Sequence, residues 1–319
     1  MILLGAILTQ LLHVALMLAA APLLVGVVRS AKARLLGRRG PPVRQPWLDL
    51  LRLLAKRPVI ATSATPLFRP APALALIATC TAAALVPSFA GGMLFAGVGD
   101  LLVIAGLLGL ARAVQAAAAL DAGTAFGGLG ASREMAFATF AEPALLLSVL
   151  IFAMLAGTTN LDAVAASLRD APPGLRVSLG LAALAMLAVA VAENARIPVD
   201  NPATHLELTM VHEAGLLEYS GPDLALWDMQ AALKLLLWLT LLSALFVPFG
   251  MAPSGAGPLA WIGGLLAWGA KMGVLAVALA SFEVSIAKMR IFRVAEFLGA
   301  ALLLALLAAV FLFVSTGLA

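Results

Sequence analysis

The side chains that could do chemistry in this sequence gather in one stretch. From Glu193 to Asp228 the chain reads ENARIPVDNPATHLELTMVHEAGLLEYSGPDLALWD, with seven carboxylates (Glu193, Asp200, Glu207, Glu213, Glu218, Asp223, Asp228), two histidines and one arginine, out of sixteen carboxylates in the whole chain. Several chemistries fail on spacing. His205 and His212 lie seven positions apart, which on a helix puts their Cα atoms about 10 Å apart, too far for easy sharing of one ion. No HExxH is present. Ser220 precedes a helix-ending glycine and not a nucleophile elbow. Asp223 and Asp228 lack the spacing of the paired aspartate-rich motifs that hold magnesium in membrane prenyl transfer. Gly127-Gly128-Leu129-Gly130 has neither the GxGxxG spacing nor a preceding strand, so no dinucleotide loop is read there. What remains is a set of carboxylates able to carry protons.

A second group of charges lies inside apolar runs: Arg112, Asp121, Glu142, Lys234, Lys271, Glu283 and Glu296. A charge at the centre of a membrane helix costs about 2.5–3.5 kcal/mol on the insertion scale, so such groups usually face protein or water and pair. Those near helix ends can instead snorkel to the headgroups. Glu142 is followed by Pro143, which frees a backbone carbonyl and favours a polar neighbourhood. Carboxylates near one membrane face, beside an embedded glutamate, suggest a proton entry path.

The elements that must position these groups are apolar helices. The 319 residues are 63% hydrophobic and only 11% charged, with a mean hydropathy of +1.08. Soluble domains are about a quarter charged, so the class is a polytopic, all-α membrane protein. Eight transmembrane helices are predicted, at about 2–28, 71–90, 101–120, 135–157, 175–192, 229–249, 258–282 and 296–314, within a single membrane domain. The first run lacks a basic leader and is too long for a signal sequence. Cys80 sits alone in an apolar run, which excludes an internal disulfide and a thiolate cluster within the chain.

With the N-terminus outside, the inner segments hold fifteen Lys and Arg residues and the outer loops hold two, Arg169 and Arg176. That asymmetry places the island and Glu142 on the cytoplasmic side and both termini outside. In the first inner segment, Leu48, Leu51 and Leu54 share a face opposite Asp49, Arg52 and Lys56, which reads as a short amphipathic helix at the interface. In the island, Asn201-Pro202 reads as a helix start, with the helix running to about Tyr219 and stopping at Ser220-Gly221-Pro222. Glu207 and Glu218 would then share a face, and Arg196 lies within pairing distance of Glu193 and Asp200. Residues 121–134 read as a tight, glycine-rich turn. In the outer loop, Leu161, Val164 and Leu168 read as one short surface helix.

At these residues the sequence resembles a known family. The stretch ENARIPVDNPATHLELTMVHEAGLLEYSG is similar to the signature of subunit 1 of respiratory complex I, and more closely to its homologue in membrane-bound nickel–iron hydrogenases of the formate hydrogenlyase type. GRRGPPVRQPWLDLLRLLAK, LDAGTAFGGLGASREM with the following AEP, and KMRIFRVAEFLG resemble the same branch, so the likeness covers essentially the whole chain. Two departures favour the hydrogenase branch over quinone-reducing relatives. Pro42 stands where those tend to have asparagine after Arg-x-Gly-Pro, and the island reads Val-Asp-Asn-Pro in place of a Phe-Asp-Leu type.

The resemblance implies a membrane anchor and coupling element beneath a peripheral redox arm, with no redox centre, metal or catalytic residue of its own. Iron–sulfur clusters and a nickel–iron centre belong to its partners, which are hydrogenase-like large and small subunits. Antiporter-like subunits would flank it in the cell inner membrane, and nucleic acid has no part. Glu142, Glu193, Asp200, Glu207, Glu213 and Glu218 are the implied proton path, with Arg196 holding carboxylates in place. Asp49, Arg133 and Arg290 are implied at the interface with the peripheral arm. The alternatives are a quinone-site subunit of a complex I-like enzyme and, from another class, a stand-alone secondary transporter. The latter usually shows internal repeats, and none is seen here.

Overall fold

Ten α-helices and no strand form among the described residues, because apolar runs in a membrane must satisfy their backbone groups internally. The computed structural model describes residues 2–170, 177–196, 211–286 and 292–317. The helices are α1 (Ile2–Leu35), α2 (Gln45–Leu54), α3 (Ala71–Leu85), α4 (Leu101–Asp121), α5 (Ala125–Ala156), α6 (Leu161–Asp170), α7 (Val177–Glu193), α8 (Gly221–Phe246), α9 (Pro258–Ser285) and α10 (Phe292–Gly317).

Each of the eight predicted spans falls on a helix, but their lengths differ. Six, namely α1, α4, α5, α8, α9 and α10, are long and apolar enough to cross a membrane. The other two are shorter, 15 residues in α3 and 17 in α7, or about 22 and 26 Å at the helical rise. Helix α3 stops at Leu85, short of the expected residue 90. Val86 is extended at φ −88°, ψ 120°, as the residue before a proline tends to be.

Helix α8 is the centre of the bundle. It packs against α1, α2, α3, α6, α7 and α9, and its side chains from Leu233 to Leu245 are buried almost without a break. Helix α4 bridges α3 and α5, α10 lies against α5 and α7, and α9 lies against α1. Helix α9 therefore flanks one side of the bundle and α10 the other.

The amphipathic helix is present as α2. It lies against the middle of α1: Trp47 Nε1 donates to Ala19 O at 3.1 Å, and a Cβ on Gly26 would come within 1.9 Å of Val43 O. Pro46 and Leu50 face inward while Leu48, Leu51 and Leu54 are exposed, the disposition of a helix resting on an apolar boundary. The predicted outer surface helix is α6, with Leu161 and Val164 buried beneath it.

Two readings of the connecting segments are corrected. The glycine-rich 121–134 stretch is not a turn for most of its length. Only residues 122–124 link the helices, with Gly123 at φ +68°; Thr124 caps α5 by accepting from Gly127 N–H, and Gly127, Gly128 and Gly130 lie in its first turns. Gly123 serves the chain reversal, while Gly127 and Gly130 serve close packing of the helix. The island is likewise not an α-helix up to Tyr219. Its residues 202–210 lie outside the described residues. From Val211 the chain makes a bend and a short 3-10 turn at Glu213–Leu216. Ser220 is extended, and Gly221-Pro222 opens α8 instead of only ending a helix. Asp223 and Asp228 thus belong to α8, which starts eight residues before the expected Met229.

The short turn has a packing cause. A Cβ on Gly130 would lie 2.7 Å from Gly215 N and 3.0 Å from Val211 O, and one on Gly215 would lie 3.2 Å from the Ala119 methyl. The segment lies directly on α4 and α5, which explains a glycine at position 215. Tyr219 then fixes its end. It stacks on Phe68 at 4.0 Å, and its hydroxyl donates to Phe68 O at 3.0 Å. Burial pushes the Tyr219 phenol up from its usual range, so it stays a neutral donor.

Candidate functional site

Arg112 is the pivot of the site. It sits near the middle of α4, where the surrounding sequence is leucine and alanine, and it is buried. Helix packing brings three carboxylates to it. Nη1 donates to Glu142 Oε1 of α5 at 2.8 Å, and Nη2 donates to Glu193 Oε1 at the last residue of α7. Nε lies 3.9 Å from Glu134 Oε1, also of α5. Glu134 and Glu142 are two helical turns apart, so one face of α5 presents both. One guanidinium meets three carboxylates, of which Glu134 and Glu193 are buried with it while Glu142 is half exposed at the edge of the cluster. Buried ion pairs of this kind add little net stability, but losing one partner is expensive.

His212, on the segment before α8, completes the group. Its Nδ1 is 2.6 Å from Glu134 Oε2. Oε2 otherwise has no hydrogen-bond partner of good geometry, so this contact, charged when the imidazole is protonated, is its close polar neighbour.

Beside this cluster opens a cavity of about 360 Å³. Its wall includes Arg29 of α1, Asp49 of α2, Glu193, Arg196, His212, Glu213, Asp228 and Lys234. The density of charged groups makes it a water-accessible chamber between α1, α2, α8 and the end of α7. A separate void of about 10 Å³ lies next to Glu134 and His212, room for about one water.

The expected pairing of Arg196 with Glu193 or Asp200 is corrected. Its Nη1 reaches Glu283 Oε1 of α9 at 3.3 Å, and Glu193 belongs to Arg112. Asp200 lies outside the described residues. Glu283 also accepts from Lys32 Nζ of α1 at 3.0 Å, so one carboxylate ties α1, α9 and the end of α7 together. Burial lowers the proton affinity of the Arg196 guanidinium, and Glu283 opposes that shift. The segment 197–210 thus runs between two ion pairs, Arg196–Glu283 before it and His212–Glu134 after it.

The remaining candidates divide. Glu142 and Glu193 join at Arg112, and Glu213 and Lys234 line the cavity. Asp49 also lines it, while accepting from Gln45 Nε2 at 2.8 Å. Glu218 is half-buried and lines neither the cavity nor the void. Arg133 is half-buried next to Glu134. Glu207 and Arg290 lie outside the described residues. Lys271 meets no carboxylate among the described residues. It donates to Val247 O at 2.6 Å and to Phe249 O, closing carbonyls left open past the C-terminus of α8. Asp121 ends α4 by accepting from Thr65 N at 2.9 Å.

Two members of the cluster escape a reading of the sequence. Glu134 is adjacent to Arg133, a candidate interface residue, and falls in a stretch that reads as a turn. Its eight-residue spacing from Glu142 is the signal, visible once α5 starts at Ala125. His212 reads in the sequence only as a candidate metal ligand with His205.

Known proteins share this arrangement of helices. The family model for NADH dehydrogenase matches residues 7–314. Formate hydrogenlyase subunit 4 of Escherichia coli (strain K12) is 32% identical over 287 residues, 90% of this chain and 92% of that one. Hydrogenase-4 component C of the same organism is 36% identical over 234 residues, 72% of each chain. A subunit of the NADH-quinone oxidoreductase of Rickettsia bellii (strain RML369-C) is 31% identical over 219 residues, 64% of this chain and 63% of that one. Among solved structures, a chain of the membrane-bound sulfane sulfur reductase, an archaeal respiratory membrane complex, has the same fold. Its TM-score is 0.82 at 22% identity, covering 97% of this chain and 99% of that one. With eight apolar helices in the expected order and a family match over nearly its whole length, this chain is a complex I-like membrane subunit and belongs to the NADH dehydrogenase family.

Proposed function

We propose that this chain is the membrane-anchoring and proton-coupling subunit of an energy-converting hydrogenase of the formate hydrogenlyase type. In this reading it crosses the cell inner membrane eight times, with α3 and α7 as the two short spans and both termini on the outer side. The observation that carries it is the convergence of Glu134, Glu142 and Glu193, from two helices, on the single guanidinium of Arg112 beside a charged cavity. Such a cluster can hold a proton and change partners when a neighbouring charge changes, which a purely structural anchor would not need.

The chemistry that drives it belongs to other chains. Hydrogenase-like large and small subunits would supply the nickel–iron centre and iron–sulfur clusters, and antiporter-like subunits would continue the ion path. Asp49, Arg133 and Arg290 are proposed to face the peripheral arm. Glu207 and Asp200 are proposed to join Glu142, Glu193, Glu213 and Glu218 in the path. Family membership disfavours a stand-alone transporter.

A second reading draws on the cavity. Its walls include the interfacial helix α2 and the apolar Val25, Leu50 and Trp227, which would also suit a quinone head. Quinone-dependent turnover of the intact complex would favour that reading; its absence would favour the hydrogenase branch.

The test is proton translocation by the purified complex in vesicles during redox turnover. Glu142→Gln and Glu207→Gln are expected to leave assembly intact and to reduce the protons moved per electron. Unchanged translocation in the assembled double variant would remove these residues from the path. Purification of the chain alone, without iron–sulfur partners, would defeat the coupling reading.

A further inference from the structure

Glu134 has no direct opening to the charged cavity; it is absent from the cavity wall and its carboxyl is buried. His212 lies between the two. It lines the cavity, and it also lines the small void in which Glu134 sits. Gln115 is the other residue common to both walls, and an amide does not titrate. His212 is therefore the ionisable side chain, among the described residues, that reaches both the cavity and the buried acid. Its Nδ1 is already 2.6 Å from Glu134 Oε2.

We infer that His212 is the proton-transfer residue that loads Glu134 from the cavity. The inference rests on the proton-coupling reading and assigns a step within it. In that step a small turn of the ring aims Nδ1–H at Glu134 Oε2, and the imidazolium gives that proton to the carboxylate. The N–H bond breaks, the O–H bond forms, and a cation–anion pair becomes two neutral groups. The ring then carries its proton on Nε2. A turn about χ2 presents Nε2–H to Glu134, and Nδ1 takes the next proton from cavity water.

Other charged groups surround the pair. Facing the pair are Arg112 and Gln115 from α4, Lys234 from α8, Glu193 from the end of α7, and Glu213 on the same segment as His212. From Glu134, Arg112 leads on to Glu142 and Glu193 within one cluster. Close packing holds the relay in place, because Gly130 and Gly215 let the backbone of the 211–216 segment touch α5. A histidine suits the task, since its unperturbed titration lies near neutral pH.

The test uses the complex with its partner subunits in vesicles, driven by reduced methyl viologen, with internal pH followed by a dye. His212→Ala should lower the rate of proton translocation about a hundredfold, the lower end of the scale on which a positioned acid–base group acts. Adding imidazole should restore most of the loss, which a packing defect would not allow. His212→Gln keeps an amide donor toward Glu134 but cannot titrate; it should assemble normally and lose translocation to the same extent. Glu134→Gln should show the loss without imidazole rescue. Normal translocation in His212→Gln, or a His212→Ala defect that imidazole leaves unchanged, overturns the assignment. If the wild-type complex moves no protons, the coupling reading and this step both fall. If wild type translocates and Glu142→Gln does not, while His212→Ala does, only this step falls.

Discussion

Arg112 and Glu142 meet at 2.8 Å across the interface of α4 and α5. Their bond is what turns two helices that pack through small apolar residues into the wall of a charged cluster. Glu193 reaches the same guanidinium from α7, so three helices are locked around one cation.

Removing that cation should be costly. Arg112→Gln leaves the buried Glu134 and Glu193 without their cation, and loss of a buried partner typically destabilises by about 3–5 kcal/mol. The expected result is a clear fall in the melting temperature of the detergent-purified protein, with Arg112→Lys falling less. A melting curve matching wild type for Arg112→Gln would show that the carboxylates do not depend on it.

Glu283 offers a test on the other ion pair. Its carboxylate serves both Lys32 and Arg196. Glu283→Gln keeps the shape but leaves the buried Arg196 guanidinium without a counter-charge, a loss of about 1–3 kcal/mol. Freed from α9, the Arg196–Ile197 bond should be cut faster by trypsin. Equal cleavage rates in wild type and variant would mean that the pair does not hold this end of the acidic segment.

Gly130→Ala probes the close approach that places His212. The added methyl would meet Gly215 N at 2.7 Å, against backbone rather than a yielding side chain. Overpacking of this kind costs about 1–3 kcal/mol, and it should push the 211–216 segment off α5. Stability and proton translocation are both expected to fall, whereas Gly128→Ala, where a Cβ meets nothing, should change neither.

Asp162 of α6 supplies a pH dependence. Its carboxylate accepts from Gly92 N–H at 2.9 Å, and burial raises its pKa above the usual carboxylate value, with the Gly92 bond opposing. A folded-state pKa above the unfolded one means the folded state holds the proton more tightly. The stability this confers is present below the unfolded value of about 3.9, and it is lost as pH rises through the folded value. Asp162→Asn keeps the acceptor and removes the titration, so its melting temperature should decline less than that of wild type from about pH 4 upward. Parallel profiles would show that this carboxyl contributes nothing to the pH response.

Much of this protein was legible in its sequence, for a physical reason: a bilayer permits few backbone solutions. Runs such as 101–120 and 258–282 could only be helices once their polar content was counted, and α4 and α9 follow them closely. The face of Leu48, Leu51 and Leu54 announced α2, because an interfacial helix must segregate its side chains. The embedded Arg112 and Glu142 were expected to face a polar partner or water because an unpaired charge there is costly, while Glu283, near a helix end, could equally have snorkelled.

Which charge meets which was decided by tertiary structure alone. Nearness in sequence suggested Arg196 with Glu193, yet the helix end turns Arg196 toward Glu283 and gives Glu193 to Arg112, whose position is set by how α4 packs on α5 and α7. The same holds for Glu134 and His212. They are 78 positions apart, and nothing in either local sequence requires them to meet. Two glycines, Gly130 and Gly215, let two backbones come close enough for it. Local sequence determined the helices and the presence of the charges, since both follow from the cost of exposing polar groups to lipid. The network among those charges depends on the crossing of helices, and that is fixed only when the whole bundle packs.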